Sequence, residues 1–448
     1  MRYLPKSPGE RREMLATLGL ESAEELFSHL PADLLLRRPL DIPPGKSEYE
    51  IIEDFERLAA DNAEGYVSFL GAGVYRHYRP VIIDALVTRG EFLTSYTPYQ
   101  AEISQGILAA IFEFQTMATQ LTGMEVANAS VYDGASATAE AILMAQRLTR
   151  GRTRVLLAAS LHPYYRRVVE TYTGNLDITL ADVPCEEPSG RMDPAALEGL
   201  LGDDVSCLVV QQPNFFGVVE DLDSLGERAR KAGALLITIV TEALSLALLK
   251  PPGRSGADIV AGEAQSFGLP VYYGGPYLGF MATRAAHLRQ LPGRISGQTV
   301  DAEGRRGFVL TLATREQHIR REKATSNICT NQNLAMTVAL IYLTLMGREG
   351  LGAVARHNVS LLSYFRDRLK ALPGYELRHS GPAFNEITLA CPRPAGEVVA
   401  AALKKGIAPG IDLGRFFPER SHELLVAVTE TQDQAALDRL LAALRDAA

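Results

Sequence analysis

Val155-Leu-Leu-Ala-Ala-Ser160 is the first of four short apolar runs that decide the fold of this 448-residue chain. The others are residues 178–183, 207–211 and 234–241, each bounded by turn-forming residues and separated from the next by a helical pattern. Strands that alternate with helices form a parallel sheet covered on both faces. The sequence therefore predicts a large, mostly parallel α/β domain.

A candidate phosphate turn lies just before the first run. Asp133-Gly134-Ala135-Ser136 opens a helical pattern that continues past Thr138. Backbone N–H groups and a hydroxyl at the positive end of a helix dipole suit a phosphate. An ordinary helix start uses the same residue types, so this pattern alone leaves both interpretations open.

The order of elements resembles the large domain of the aspartate-aminotransferase-like fold, fold type I of the pyridoxal-phosphate-dependent transferases. In that fold a Schiff-base lysine follows the late buried strands and precedes a glycine-rich turn. The corresponding segment here runs from Gly256 to Gly279, and no lysine occurs between Lys250 and Lys323. A lysine amine is needed to hold the cofactor covalently and to move protons.

A more specific resemblance is carried by several longer segments. The chain resembles the P-protein family of the glycine cleavage system, glycine dehydrogenase (decarboxylating), and within it the amino-terminal subunit (subunit 1, or alpha) of the split form. The matching segments are Arg2-Tyr-Leu-Pro5, Gly71-Ala-Gly-Val-Tyr-Arg-His-Tyr-Arg-Pro80, Glu91-Phe-Leu-Thr-Ser-Tyr-Thr-Pro-Tyr-Gln100, Asn128-Ala-Ser130, the segment around Gln265, and Ala324-Thr-Ser-Asn-Ile-Cys-Thr-Asn-Gln332.

The resemblance also places the missing lysine. In that family the carboxy-terminal subunit carries a His-Lys-Thr-Phe motif followed by an isoleucine, a proline and several glycines. Counted back from Phe267 and Pro270, its lysine falls on Gln265 of this chain. The resemblance thus implies a pseudoenzyme subunit with no catalytic residue of its own, paired with a homologue that holds pyridoxal phosphate covalently. Two alternatives stay open: an independent enzyme that uses Lys323, and a purely regulatory or structural subunit.

The rest of the inherited cofactor pocket is expected to be a remnant. Active members of the fold place an aspartate where this chain has Thr241 and Glu242, and they often stack a side chain on the cofactor ring where this chain has His162. An acid at a helix start and a His-Pro turn that caps a helix are equally ordinary structural features. The predicted remnant consists of Gly134, Ser136, Thr138, His162 and Glu242.

Two loops upstream of the predicted sheet combine aromatic, hydroxyl and guanidinium groups, and in this fold such loops cross the dimer interface. Residues of this kind suit a surface that lines the pocket of another subunit, although they also pack ordinary interfaces. We expect the path between the subunits to be lined by Arg76, His77, Tyr78, Tyr96, Thr97, Tyr99 and Gln100, together with Asn327.

The reaction that the resemblance implies needs several partners. The lysine-bearing subunit decarboxylates glycine and passes the aminomethyl group to the lipoyl arm of H-protein. Two copies of each subunit are expected in a heterotetramer. The net charge of −8 has no blocks of one sign, which argues against nucleic acid. Four isolated cysteines predict a reducing cytoplasm with no metal site, and no membrane span or signal peptide is expected.

Three regions are predicted along the chain. Residues 1–62 form a helical arm, in which Ser22 with Glu25 and Ser47 with Glu50 have the spacing of capping boxes. Residues 63–348 form the large α/β domain, which ends with an apolar helix predicted from Gln332 to Met346; a second, longer helix is predicted from Gly350 to Leu372. Residues 349–448 form a linking helix and a small α+β domain, with predicted strands at 386–390 and 424–428.

Overall fold

The computed structural model describes residues 6–62 and 65–448, in two compact units, Met1–Glu64 and Gly65–Ala448. The first unit contains α1 (Pro8–Thr17) and α2 (Glu48–Ala60). The capping box that begins with Ser47 forms as predicted, because its hydroxyl accepts from the N–H of Glu50 while that glutamate accepts from the N–H of Ser47. The box at Ser22 is only half made and precedes a single 3₁₀ turn, Glu24–Phe27.

The second unit is built on a seven-stranded sheet. In chain order the first ten strands of this unit are β1 (Val67–Ser68), β2 (Val126–Ala127), β3 (Arg154–Ala158), β4 (Thr179–Val183), β5 (Cys185–Glu186), β6 (Arg191–Met192), β7 (Val205–Gln211), β8 (Leu235–Val240), β9 (Ile259–Glu263) and β10 (Gly279–Thr283). The sheet order is β2-β10-β9-β8-β7-β3-β4, parallel from β4 to β9 and antiparallel at β10 and β2. All four apolar runs are parallel strands of this sheet, which confirms the predicted α/β class.

Helices cover both faces of this sheet, as a parallel sheet requires. In chain order the helices between residues 82 and 369 are α3 (Ile82–Val87), α4 (Gly90–Leu93), α5 (Gln105–Thr122), α6 (Gly134–Leu148), α7 (Pro163–Thr173), α8 (Pro194–Leu200), α9 (Leu222–Lys231), α10 (Gln317–Arg320) and α11 (Asn333–Leu369). One core joins α5, α9 and the first half of α11 to one face, and a second joins α6 and α7 to the other. Strands β7, β8 and β9 are therefore buried on both sides.

Helix α11 runs from the large core into the C-terminal layer. The sequence predicts two helices here, and the structure shows why: Gly347 adopts φ 56° and ψ −173°, which interrupts one 37-residue helix. By length and composition alone α11 could cross a membrane. Its apolar side chains instead fill two cores, with Met336 and Tyr342 in the first and Leu362 and Phe365 in the C-terminal one.

The C-terminal layer is an antiparallel sheet with two helices against it. Its strands are β13 (Glu376–Leu377), β14 (Glu386–Ala390), β16 (Ile411–Asp412) and β17 (Glu423–Ala427), in the order β13-β14-β17-β16, and its helices are α12 (Ala395–Leu403) and α13 (Gln434–Asp446). The remaining strands are β11 (Ile295–Val300) and β12 (Arg306–Thr311), which form a hairpin, and β15 (Ile407–Ala408). Strand β1 pairs with β15, so residues 67–68 lie in this layer rather than in the large sheet.

Candidate functional site

Gln265 lies just after β9 and ties down a distant loop. Its side chain is buried, and its Oε1 accepts from the N–H of Tyr75 at 3.0 Å. Its Nε2 donates to the carbonyls of Tyr75 at 3.0 Å and Leu269 at 2.8 Å. Because every polar group of the carboxamide has a partner, Gln265 acts as a clamp on the chain. It has no nucleophilic nitrogen with which to hold a cofactor.

The clamped segment, residues 71–79, is called the pocket loop from here on. Gly73 adopts φ +90° and lies so close to the ring of His162 that a Cβ on it would be 3.0 Å from the ring Cδ2. The same Cβ would be 3.9 Å from Cβ of Thr241, at the end of β8. The pocket loop therefore fills the space beside His162 and Thr241, where the resemblance places a cofactor ring.

His162 is committed to this arrangement. Its Nε2 donates to the carbonyl of Ala72 at 2.8 Å, and its Nδ1 accepts from the N–H of Tyr164 at 3.1 Å, which caps α7. The rings of Tyr165 and Phe215 also pack against it, with centroids 4.9 and 5.0 Å away. Burial lowers the pKa of His162 to about 4, so the ring is neutral. It is a structural cap with no free face for a ligand.

Glu386 holds the pocket loop from the C-terminal layer. Its carboxylate accepts from the N–H of Ala72 at 2.7 Å and from the hydroxyl of Tyr75 at 2.9 Å. Burial raises the pKa of Glu386 to about 7, against the opposing effect of these two donors. The loop is thus held on two sides, by Gln265 just after β9 of the large sheet and by Glu386 in β14 of the C-terminal layer.

His77 anchors the outer end of the pocket loop in a buried ionic cluster. Its Nε2 lies 2.9 Å from Glu242 Oε2 and its Nδ1 lies 2.9 Å from Glu430 Oε2. Burial opposes the charged form, but the two carboxylates outweigh it and raise the pKa of His77 to about 10. Glu242 also accepts from Asn385 at 3.0 Å and from the N–H of Leu244 at 3.0 Å.

That cluster corrects two expectations. Glu242 was expected to face a cofactor ring, but its carboxylate already binds the imidazolium of His77 and the amide of Asn385. His77 was expected to line a path to the partner, but only 3% of its side chain is exposed. A buried charge is stable only when it is paired, and His77 is paired with Glu242 and Glu430. His77 is therefore a structural anchor of the loop.

The candidate phosphate turn is filled by the chain's own carboxylates. Glu263 accepts from the N–H of Gly134 at 3.0 Å and from the N–H of Leu278 at 2.8 Å. Asp133 accepts from the N–H of Ser136 at 2.7 Å and caps α6. Burial raises the pKa of Glu263 to about 7. The N–H groups of Gly134 and Ser136 at this helix N-terminus therefore have internal partners.

Thr138 is likewise unavailable as a phosphate ligand. Its hydroxyl is buried inside α6 and donates to the carbonyl of Gly134 at 2.8 Å. The hydroxyl of Ser136 donates to Asp133, within the same turn. Taken with Gln265 and the pocket loop, these contacts show that the residues of this chain do not fit pyridoxal phosphate at its inherited position.

The other predicted interface residues lie in two different surroundings. On the pocket loop, Arg76 and Tyr78 are exposed and alternate with the buried Tyr75 and with His77, whose side chain is 3% exposed. In the second loop Tyr96 is 76% exposed, Gln100 is exposed and Thr97 is half-buried.

Tyr99 and Asn327 are exposed but held in place. The hydroxyl of Tyr99 accepts from Arg294 Nη2 at 3.1 Å, and the guanidinium of Arg294 lies 5.3 Å from the tyrosine ring centroid. Asn327 accepts from Gln317 Nε2 at 3.0 Å. The eight predicted residues therefore form no single cluster, and all except His77 and Thr97 belong to exposed surface.

Three site residues were missed in the sequence: Glu263, Glu386 and Glu430. Glu386 and Glu430 lie more than 300 positions from the loop that they hold, and no local pattern announces such a contact. Glu263 is different, because it stands two residues before Gln265 at the end of an apolar run. A carboxylate at the end of a buried strand, facing a glycine turn, was a usable signal.

The comparisons with known proteins agree with this structure. Residues 1–444 match the sequence profile of the family described as "Glycine cleavage system P-protein". A relative from Solibacter usitatus, named probable glycine dehydrogenase (decarboxylating) subunit 1, is 51% identical over 99% of this chain and 97% of its own length. A relative of the same name from Rhodospirillum centenum is 50% identical over 100% and 99%.

Solved structures give the same result. A crystal structure of glycine decarboxylase (P-protein) of the glycine cleavage system, in inhibitor-bound form, matches with a TM-score of 0.90 and 43% identity over 100% of both chains. Burkholderia pseudomallei sphingosine-1-phosphate lyase matches at 0.67 and 16% identity over 92% of both, which shows the shared fold alone. The predicted fold type I and the predicted family are thus confirmed, and the chain belongs to the P-protein family of the glycine cleavage system.

Proposed function

We propose that this chain is the lysine-free subunit 1 of glycine dehydrogenase (decarboxylating), and that a homologous lysine-bearing subunit holds pyridoxal phosphate covalently. The observation that carries the proposal is the clamp of Gln265 on Tyr75, at the position of the Schiff-base lysine. The names of the relatives support the reaction, since they describe a numbered subunit of that enzyme. This chain alone is inactive, and two copies of it form half of a heterotetramer in the cytoplasm.

The pocket loop gives this subunit a structural task in place of the cofactor. Tyr75 and His77 point inward, where Glu386 and the two carboxylates around His77 hold them. Alternate residues of an extended segment face opposite sides, so the same anchoring presents Arg76 and Tyr78 outward. A loop fixed at its buried positions loses little conformational freedom when a partner binds its exposed ones.

The exposed loops form one wall of the path by which the lipoyl arm of H-protein reaches the partner's site. Tyr96 presents 76% of its surface to solvent, a large apolar area for contact with another chain. Tyr99 is less mobile, because Arg294 holds both its hydroxyl and its ring. The partner subunit decarboxylates glycine, and the lipoyl arm that has passed along this wall receives the aminomethyl group there.

The test is to locate the pyridoxyl group. This chain is purified alone and with its lysine-bearing homologue, each sample is reduced with borohydride in the presence of pyridoxal phosphate, and labelled peptides are identified by mass. We expect a label at the partner's active-site lysine and none at a stoichiometric level on this chain. A stoichiometric label on Lys323 of the isolated chain contradicts the proposal and makes the chain an independent enzyme.

The structure disfavours that alternative. Lys323 lines a surface cavity with Arg147, Arg289, Arg315 and Arg320, and neither Gln265 nor His162 lies among the residues of that cavity. A purely regulatory subunit is separated from the proposed role by the kinetics of interface variants. Such a subunit tolerates loss of Tyr96 without any change in transfer to H-protein.

A further inference from the structure

A cavity of about 350 Å³ on the second unit is lined by positive charge. Its walls come from the end of α6, from the chain just before residue 291, and from the segment that follows β12. We call it the basic cavity. Five of its ten lining residues are cationic, namely Arg147, Arg289, Arg315, Arg320 and Lys323, and none is an aspartate or a glutamate.

Two cations of the basic cavity are held by neutral hydrogen-bond acceptors. Arg147 donates to the side chain of Gln290 at 3.3 Å and to its carbonyl at 3.1 Å. Arg315 donates to the carbonyls of Leu312 at 3.1 Å and Gly293 at 3.0 Å. These acceptors are neutral, so they orient each guanidinium without pairing its charge. The carboxylates that act electrostatically on Arg147 and Arg315 are Glu140 and Glu316, and neither lines the cavity. Within residues 6–62 and 65–448, none of the five cations of the cavity forms an ion pair.

One buried donor in the basic cavity, Nη1 of Arg315, has no hydrogen-bond acceptor among the described residues. A buried guanidinium nitrogen without an acceptor is costly, and an anion or an ordered water removes that cost. Burial also lowers the pKa of Arg147 and Arg315, which reflects the cost of keeping these charges away from solvent.

The backbone of the same segment is held in an uncommon conformation. Leu312 has φ 56° and Arg321 has φ 52°, two of the four non-glycine residues with positive φ in the described ranges. They bracket the residues that carry Thr314, Arg315 and Arg320 into the wall. Left-handed backbone at residues other than glycine costs free energy and persists where the surrounding structure requires a particular side-chain placement.

We infer that the basic cavity binds a small ligand that carries one or more phosphate groups. Guanidinium groups that converge from different elements suit the several oxygens of a phosphate, which each can contact through paired N–H donors. The volume of about 350 Å³ lies in the range of small-molecule pockets. This inference does not rest on the proposed role in glycine decarboxylation, since none of the pocket-loop contacts is part of the cavity.

The probe is inorganic pyrophosphate, titrated by calorimetry into the complex of this chain with its lysine-bearing homologue at physiological salt. We expect saturable binding with one site per copy of this chain. Lys323→Gln removes a charge whose side chain has no hydrogen bond within the described residues, so it leaves the fold intact. We expect it to weaken pyrophosphate binding by about tenfold, and Arg315→Gln to weaken it further.

The matched control is Arg150→Gln, an exposed arginine near the end of α6 that lies outside the cavity. Its affinity for pyrophosphate should equal that of the unaltered complex. Equal weakening by Arg150→Gln and Lys323→Gln means a diffuse charge effect, and absence of saturable binding means no ligand site; either result overturns the inference. It is also overturned if pyrophosphate does not bind while Lys323→Gln weakens binding of H-protein, because the cavity is then a protein docking surface.

Discussion

Replacing Gln265 with lysine should not turn this chain into a pyridoxal enzyme. The substitution removes the acceptor for the buried N–H of Tyr75, which costs about 1–3 kcal/mol for an unsatisfied buried donor. The lysine can still donate to the carbonyls of Tyr75 and Leu269, but it brings an ammonium into a site where Gln265 is only 1% exposed. Desolvation of that charge adds to the cost. The pocket loop still occupies the space beside His162.

Two measurements follow this variant. Chemical unfolding of the full chain should show a lower midpoint for Gln265→Lys, by an amount that corresponds to at least about 1–3 kcal/mol. Borohydride reduction with pyridoxal phosphate should give no stoichiometric label at residue 265. Gln120→Lys is the matched control, since the same chemical change is made at an exposed position of α5. It should leave the midpoint unchanged.

One result would refute this reasoning. If Gln265→Lys unfolds at the same midpoint as Gln120→Lys and is labelled stoichiometrically at residue 265, the pocket loop does not exclude the cofactor. The missing lysine would then be the whole reason why this chain does not hold pyridoxal phosphate covalently. A lower midpoint with full labelling refutes the exclusion equally, since it shows that the loop leaves its pocket when a lysine is available.

Three further predictions concern the loops. His77→Ala leaves two buried carboxylates without their cation, so it should lower the free energy of unfolding at neutral pH by about 3–5 kcal/mol. In the unaltered protein the folded pKa of His77 is raised to about 10. The stability that its charge contributes should therefore be lost as pH rises through about 10. Glu386 has a folded pKa raised to about 7, so the folded state binds more protons and stability should fall as pH rises from about 4.5 through 7. Glu386→Gln should make that fall shallower, and an unchanged pH profile contradicts it. Tyr96→Ala should leave unfolding unchanged but slow aminomethyl transfer to H-protein; unchanged transfer and unchanged glycine exchange would remove Tyr96 from the proposed path.

The local elements of the large sheet followed from the sequence. The apolar runs at 155–160, 178–183, 207–211 and 234–241 all became parallel strands, shifted at their ends by no more than two residues. A strand buried on both faces needs apolar residues at successive positions, so its own composition reveals it. The identity of Gln265 was equally local, since a carboxamide cannot do the chemistry of an amine wherever it lies.

The boundaries of the arm and of the long helix were less determined by local pattern. The capping box at Ser22 has the right residues but forms only a 3₁₀ turn, whereas the box at Ser47 begins a full helix. A cap satisfies the first N–H groups of a helix but cannot supply the apolar face that stabilises the following turns. In α11 the predicted break survived only as one non-helical residue, Gly347.

What the sequence by itself determined is therefore the parallel sheet, the family and the absence of a lysine at residue 265. Only the tertiary structure decided that the pocket is filled, because that depends on contacts of residues 71–79 with Glu386 and Glu430, more than 300 positions away. It also decided that His77 is buried while Tyr78 is exposed. Hydrophobic periodicity is a property of short stretches of sequence, but hydrogen bonds and ion pairs between layers exist only after those layers have packed.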